Sequence, residues 1–450
     1  MVPLAKPLCV NLSRKSAALS TICAVLLLAV ASTAFAATLC VSPGGKHSCY
    51  PSISAAVTAA SPGDVIAVYP GTYQEQVNIA KPLSLISKKQ SAAIIDATGK
   101  ANGIFIDGMG AAPNAGVADV VVSGFTIRNA DFEGILVANA SNVTIVQNVV
   151  AHNNRALNTS TLTCPGIPAF ETNEGEDCGE GIHLMAADHA SIVRNEVEWN
   201  SGGILTSDET GPSRDNVINE NFVHDNPFDC GITMASHAPA VSIIPSAGLP
   251  YGVMRNTVAG NRSWHNGAQQ PGAGAGIGIF APFPGTTDAE NVVVGNDVRD
   301  NGLPGITMHN HAYSPKAPPV NMNDNVIVGN YLSGNAADTA DAATGGPTGI
   351  NIYSVAPITG TMVLQNRFED EAYDLVFKAP SGQVNAHFNN FDEGVGVDNM
   401  GTGTVSATEN WWDCPSGPGN GNCAEVQGSG VAVTPWLYHP FTPSEDDDRH

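Results

Sequence analysis

The sequence places side chains suited to proton transfer within, or just after, short apolar segments that begin with Gly-Ile. Imidazole and carboxylate groups are the commonest general acids and bases in enzymes. The candidate catalytic residues are His183, Asp208, His237 and His309. Side chains that could hold a sugar by ring stacking or hydrogen bonding occupy similar places. They are Ser207, Phe280, His311, Asn351 and Tyr353.

An acidic loop after one of these segments offers a candidate metal site. Asp208, Glu209 and Asp215 supply carboxylate oxygens, which are ligands that Ca²⁺ prefers. The same residues are also typical of an Asp- and Ser-rich turn that binds no ion. His309 and His311 have a spacing compatible with a transition metal, but the sequence shows no third ligand. Ca²⁺ is therefore the candidate cofactor.

These side chains belong to a repeated unit. Its first half is a Gly-Ile pair followed by further strand-forming residues, and it begins at Gly134, Gly181, Gly203, Gly231, Gly276, Gly305 and Gly349. Its second half contains two asparagines five residues apart. These pairs are Asn148 and Asn153, Asn195 and Asn200, Asn221 and Asn226, Asn261 and Asn266, Asn296 and Asn301, and Asn330 and Asn335. Such a repeat indicates a solenoid whose coils bury their apolar faces against one another, with asparagine ladders at equivalent turns.

Alternation along a strand decides which side chains face outward. If Ile182 and Leu184 point into the core, His183 points out, and the same register sends the other candidates to one external sheet. We therefore predict a polysaccharide-binding groove along the outer face of one parallel sheet. The alternative is that these are solvated exterior positions, which any such fold must fill with some residue.

Composition and processing signals limit the class of protein. The 450 residues include 47 Gly and 30 Pro but only 14% charged residues, which favours an all-β chain. Residues 1–36 look like a signal peptide cleaved near Ala36, so we expect a secreted or periplasmic protein. The formal net charge of −23 disfavours nucleic acid as a partner. No later segment predicts a membrane span, and we expect a monomer.

Cysteine spacing predicts an oxidising compartment. Three close pairs are expected to form disulfides: Cys40 with Cys49, Cys164 with Cys178, and Cys414 with Cys423. Cys230 is left over, and we expect it to be buried as a small hydrophobic side chain.

Two segments besides the repeats carry a resemblance to a known group of proteins. Residues 62–73, PGDVIAVYPGTY, follow a predicted short amphipathic helix, and residues 409–419 read ENWWDCPSGPG. They resemble the N-terminal cap and the closing segment of right-handed parallel β-helix proteins of the pectin lyase-like and NosD-like superfamily. The resemblance implies an all-β, single-stranded right-handed parallel β-helix over residues 37–443, with a cap at 37–64, a closing segment at 409–443 and a disordered acidic tail at 444–450.

The resemblance does not extend to a catalytic motif. The sequence lacks the residue sets of polygalacturonases, mannuronan epimerases and pectate lyases, so no catalytic residue is carried over from these families. We predict a carbohydrate-active protein that acts on a polysaccharide by lyase, hydrolase or epimerase chemistry, with Asp208 or Glu209 as charge partner of a histidine. The alternative is a non-catalytic surface or adhesion protein, or a NosD-like periplasmic binding module.

Overall fold

A computed structural model describes residues 36–161, 163–168, 170–171, 178–236, 251–268, 274–312, 315–316 and 318–442. The predicted signal peptide, apart from its last residue, and the predicted acidic tail lie outside these residues. The described chain winds as a solenoid in which successive coils contribute strands to three parallel sheets. The predicted right-handed parallel β-helix is confirmed.

The three sheets run side by side along the solenoid. Sheet 1 contains Thr38–Val41, Val65–Val68, Leu83–Ser87, Val120–Ser123, Thr144–Val146, Ser191–Val193, Val217–Asn219, Thr257–Ala259, Val292–Val294, Val326–Val328, Ile358–Leu364, Gly382–His387, Thr404–Ser406 and Val431–Ala432. Sheet 2 contains Gly71–Tyr73, Ala93–Asp96, Phe125–Arg128, Val149–Ala151, Glu196–Glu198, Phe222–His224, Arg262–Trp264, Asp297–Arg299, Tyr331–Ser333, Arg367–Glu369, Asn390–Phe391 and Trp411–Trp412. Sheet 3 contains Val77–Ile79, Ile104–Asp107, Val117–Ala118, Ile135–Ser141, Ile182–Asp188, Ile204–Ser207, Ser213–Arg214, Ile232–Ala235, Val253–Met254, Ile277–Phe280, Asp288–Ala289, Ile306–Asn310, Thr348–Ser354, Tyr373–Lys378, Val395–Asn399 and Glu425–Gly428.

The predicted amphipathic helix is also confirmed and spans Ile53–Ala59. Ser52 caps its N-terminus by accepting a backbone hydrogen bond at 3.2 Å. Ala56 and Val57 are buried and pack on the first coils of the core. A short 3₁₀ segment at Pro43–Ser48 precedes the helix.

The Gly-Ile repeats build the core side of sheet 3. Their isoleucines pair in register from coil to coil, and each is at most 1% exposed. They are Ile135, Ile182, Ile204, Ile232, Ile277, Ile306 and Ile350. The glycine before each isoleucine is required by close packing: a Cβ added to Gly181 would lie 2.2 Å from Cγ1 of Val197.

The asparagine pairs form the predicted ladders at the two ends of the sheet 2 strands. Asn221 is representative, because its side-chain amide donates to Oδ1 of Asn261 at 2.9 Å and to the carbonyl of Ile192 at 2.8 Å. Its own Oδ1 accepts from the backbone N–H of Asn195 at 2.9 Å. The ladders therefore satisfy buried backbone groups at each corner.

One ladder ends on a carboxyl group instead of an amide. At the position where the earlier coils carry asparagine, Glu371 accepts from the backbone N–H of Asn335 at 3.2 Å and from its side-chain amide at 2.8 Å. Glu371 thus accepts the same two hydrogen bonds as the asparagines of the earlier coils, although its side chain is a carboxyl group and not an amide.

Three disulfides form in the predicted pairs, Cys40 with Cys49, Cys164 with Cys178, and Cys414 with Cys423. Cys230 is free and buried, as predicted. Disulfides persist in oxidising compartments, so these bonds are compatible with an extracellular or periplasmic protein. Within the described residues, no helix has the length and apolar character needed to cross a membrane.

Candidate functional site

The outer face of sheet 3 carries the predicted candidates in two adjacent columns. One column holds Leu136, His183, Leu205, Thr233, Gly278, Thr307 and Asn351. The other holds Ala138, Met185, Ser207, Ala235, Phe280, His309 and Tyr353. We call these two columns the outer strip. The predicted register therefore agrees with the structure, because inward isoleucines force the alternate residues outward.

The outer strip is not the open groove that we predicted. His183 is 3% exposed and Ser207 is fully buried. Part of the covering comes from the insertion between Asn158 and Gly181, whose Phe170 packs against Leu136, Ala138 and Met185. Alternation places a residue on the outside of a sheet, but it does not reveal whether an insertion folds back over that face.

Of the four predicted catalytic residues, the three that the structure describes do not form one site. His183 and His309 lie four strands apart in sheet 3, a separation of about 19 Å at the usual strand spacing. Asp208 continues the alternation after Ser207 and lies in a buried corner, where its Oδ2 accepts from Ser236 Oγ at 3.1 Å and from a backbone N–H. His237 lies outside the described residues.

The predicted Ca²⁺ ligands also separate. The Glu209 carboxylate turns towards His183, with 3.3 Å between Oε2 and Nε2. Asp215 pairs instead with the Arg255 guanidinium, at 2.9 Å for both hydrogen bonds. Because Asp208 occupies the buried corner, the predicted set of Asp208, Glu209 and Asp215 is wrong as a single ion site.

Four predicted residues do converge around a fifth, His309, and we call this the His309 site. Phe280, His311 and Tyr353 place their ring centroids 5.6–5.8 Å from the His309 ring. Asn351 brings its amide nitrogen to 3.1 Å from His309 Nε2. The site therefore combines a buried imidazole with aromatic and polar neighbours from three successive coils.

Two aspartates complete the His309 site, and sequence reasoning missed both. Asp338 Oδ2 lies 3.2 Å from His309 Nε2, and Asp341 Oδ2 lies 3.5 Å from His309 Nδ1. Asp341 Oδ2 is also 3.6 Å from Nδ1 of His311. Both aspartates belong to the insertion after Asn335, whose extra length was visible in the sequence although its path was not. His309, His311 and Asp341 also form a group able to hold a metal ion, with Asp341 as the third ligand that the sequence did not reveal.

A local turn fixes Asp338 beneath His309. Its Oδ1 accepts the backbone N–H groups of Ala340 and Asp341 at 3.0 Å, and its Oδ2 accepts that of Ala342 at 3.1 Å. This hydrogen bonding leaves the carboxylate rigid against the imidazole. Asp338 therefore both stabilises the turn in the insertion and holds His309.

The electrostatics of the His309 site favour a charged imidazole between charged carboxylates. Burial lowers the pKa of His309, but its hydrogen bonds to Asp338 and Asp341 outweigh that effect and raise it above the ordinary value. The hydrogen bond with His309 lowers the pKa of Asp341. Burial acts to raise the pKa of Asp338, but His309 and the turn amides lower it overall. The imidazolium form of His309 and the two carboxylates thus stabilise one another.

A second group of titratable residues lies around His183, and we call it the His183 cluster: Glu133, Glu171, His183, Ser207 and Glu209. The His183 Nε2 atom is 2.8 Å from Ser207 Oγ, which donates to Glu209 Oε2 at 2.7 Å. Burial is the main cause that raises the pKa of Glu133 and of Glu171. All five side chains are enclosed, so a polymer cannot reach them directly.

Comparisons with known proteins agree with this architecture. Residues 102–244 match a family model described as a right handed beta helix region. The structure of DFA-IIIase from Arthrobacter chlorophenolicus A6 without its lid is similar at 14% identity, covering 88% of this chain and 98% of that chain with a TM-score of 0.55. The Dettilon tailspike protein is similar at 13% identity, covering 82% of this chain and 62% of that chain with a TM-score of 0.51. No curated protein sequence matches the chain.

Proposed function

We propose that this right-handed parallel β-helix protein is a glycosidase that hydrolyses a neutral polysaccharide at the His309 site. The observation that carries the proposal is the Asp341 carboxylate, held between two imidazoles beside aromatic rings. Asp341 and His311 are partly exposed, at 35% and 44% of their side-chain surfaces, so a substrate can reach them. We also propose, in line with the disulfides, that the protein acts outside the cytoplasm.

Each group in the His309 site has a role in this reaction. The lowered pKa of Asp341 keeps its carboxylate ionised, so it can remove a proton from an attacking water. His311 donates a proton to the leaving glycosidic oxygen as the bond to the anomeric carbon breaks. The water oxygen forms the new bond to that carbon, and its proton passes to Asp341. His309 is a positioning residue, because it is buried and orients Asp341 while Asp338 holds its other nitrogen.

The surroundings favour a neutral sugar over a uronate. Elimination or epimerisation of a uronate is promoted by a cation against the sugar carboxylate, because it stabilises the charge that develops there. The cationic side chain that the structure describes beside Tyr353 is Lys378. Its Nζ donates to the carbonyl of Ala342 at 2.9 Å and is therefore already engaged in a hydrogen bond. The His309 charge is likewise balanced by aspartates, and the chain carries a net charge of −23. Phe280 and Tyr353 offer aromatic faces for a sugar ring.

A glycan panel with two readouts tests the proposal. Hydrolysis releases reducing ends without the ultraviolet absorbance of an unsaturated uronate, whereas a lyase produces both. We expect Asp341→Asn to lower kcat by at least ~10²-fold, the usual contribution of an acid or base. The matched control is His265→Gln, which alters an exposed histidine lying 3.6–3.9 Å from two other aspartates.

Three results would contradict the proposal. Unsaturated products would indicate a lyase, and an unchanged rate for Asp341→Asn would remove the assigned base. Absence of activity on every polymer, combined with measurable glycan binding, would instead favour a non-catalytic binding module.

A further inference from the structure

The enclosed His183 cluster contains polar atoms that lack hydrogen-bond partners. Among the described residues these atoms are both carboxylate oxygens of Glu133, Oε1 of Glu171 and Nδ1 of His183, apart from the hydrogen bond that Glu133 and Glu171 form with each other when one of them is protonated. Glu133 is fully buried, and Glu171 and His183 are 2% and 3% exposed. Folded proteins rarely bury polar atoms in this state, because desolvation without a partner costs free energy, and a bound ion can supply the missing partner.

The three residues are arranged as metal ligands would be. Glu133, Glu171 and His183 each offer a ligand atom, and these atoms lie within 4.8 Å of one another. The Nε2 atom of His183 is already held by Ser207 and Glu209, which places its proton on that nitrogen and leaves the Nδ1 lone pair for a metal. Metal-binding histidines are typically oriented in this way through their second nitrogen.

The local charge also requires compensation. Glu209 is 1% exposed, and its carboxylate lies 3.3 Å from His183. Glu180, also 1% exposed, shortly precedes the strand that carries His183, whereas no lysine or arginine is buried anywhere in the described part of the chain. Several carboxyl groups thus share one enclosed space, which a dication would neutralise.

We propose that Glu133, Glu171 and His183 bind one divalent transition-metal ion of the Zn²⁺ or Mn²⁺ class. An imidazole ligand favours such ions over Ca²⁺ and Mg²⁺, which prefer sites made of oxygen ligands. Glu171 belongs to the insertion that covers the outer strip, whereas Glu133 and His183 belong to the coils beneath. The ion therefore fastens the insertion to sheet 3.

Metal analysis of the full-length protein, expressed with Zn²⁺ and Mn²⁺ supplied, tests this site. We expect about one ion per chain, and a loss of at least ~10-fold in bound metal for Glu133→Gln and for His183→Gln. The matched control is Glu196→Gln, which alters the exposed member of the group formed by Glu196, Glu198 and His224 and should leave the enclosed ion in place.

Thermal unfolding of the unsubstituted protein tests the site without relying on variants that could misfold. After chelation and dialysis, ZnCl₂ or MnCl₂ should raise Tm, because an ion that binds only the folded state stabilises it. Equal concentrations of CaCl₂ or MgCl₂ should raise it much less. The proposal is overturned if Zn²⁺ and Mn²⁺ leave Tm unchanged, if Glu133→Gln retains full occupancy, or if Ca²⁺ acts as strongly. A shared proton between Glu133 and Glu171 would then account for the cluster.

Discussion

Glu371 makes the stability of the solenoid depend on pH in a way that one substitution can isolate. It ends an asparagine ladder and accepts the same two hydrogen bonds that an asparagine would accept. Burial raises its pKa from 4.5 to about 8. The folded chain therefore keeps a proton on Glu371 at neutral pH, whereas the unfolded chain releases it.

The sign and size of the effect follow from these two pKa values. Between about pH 4.5 and pH 8 the folded state binds one more proton than the unfolded state, so stability falls as pH rises. At 1.36 kcal/mol per pKa unit, the loss attributable to Glu371 by pH 7 is about 3 kcal/mol. Glu371→Gln keeps an acceptor oxygen and removes the titration. We expect the variant to exceed the parent in unfolding free energy by about 3 kcal/mol at pH 7 and by little at pH 4.

Urea unfolding at pH 4, 5.5 and 7, followed by circular dichroism, measures the difference. Buried carboxyl groups that do not interact with Glu371 titrate alike in both proteins and cancel in the comparison, whereas Asp374, whose pKa the Glu371 charge helps to raise, does not cancel fully. Glu393→Gln, on an exposed residue nearby, is the control and should follow the parent at each pH. An advantage of equal size at pH 4 and pH 7 would refute the reasoning, because it could not come from ionisation of Glu371.

Three further predictions concern the ladder, the insertion and the His309 site. Asn221→Ala leaves buried donors of Asn195 without an acceptor, so we expect a loss of about 2–4 kcal/mol in urea unfolding, against little change for Asn219→Ala on the outer face. Cys164→Ala should speed proteolytic cleavage in the insertion while the circular dichroism of the coils is preserved, since that disulfide packs against Phe132; equal cleavage of both proteins would contradict this. If glycosidase activity is found, its rate should fall at alkaline pH, because the reaction needs the proton of His311 and the His309 imidazolium that orients Asp341; a rate that does not fall at alkaline pH would count against these roles.

The coils could be predicted from the sequence because their signals are local and repeated. Ile182 and His183 alternate within one strand, and Asn195 and Asn200 recur at fixed places, so periodicity alone determines which side chains enter the core. Asp341 and Glu171 lie in insertions that match no other part of the chain. Their positions depend on long-range packing, so the sequence did not place them beside His309 and His183. For the same reason, the outer strip was expected to be open.

The asparagine ladders also bear on how such a chain can change in evolution. Each rung presents the same donor to one neighbour and the same acceptor to the other, as Asn221 does between Asn195 and Asn261. Coils that carry these asparagines can therefore stack on one another without a new set of hydrogen bonds at their corners, because contacts extend only to the nearest neighbours. Duplication or loss of a whole coil would preserve the pattern, whereas gain or loss of part of a coil would break it. The protein can thus gain or lose one whole coil at a time and keep its ladders.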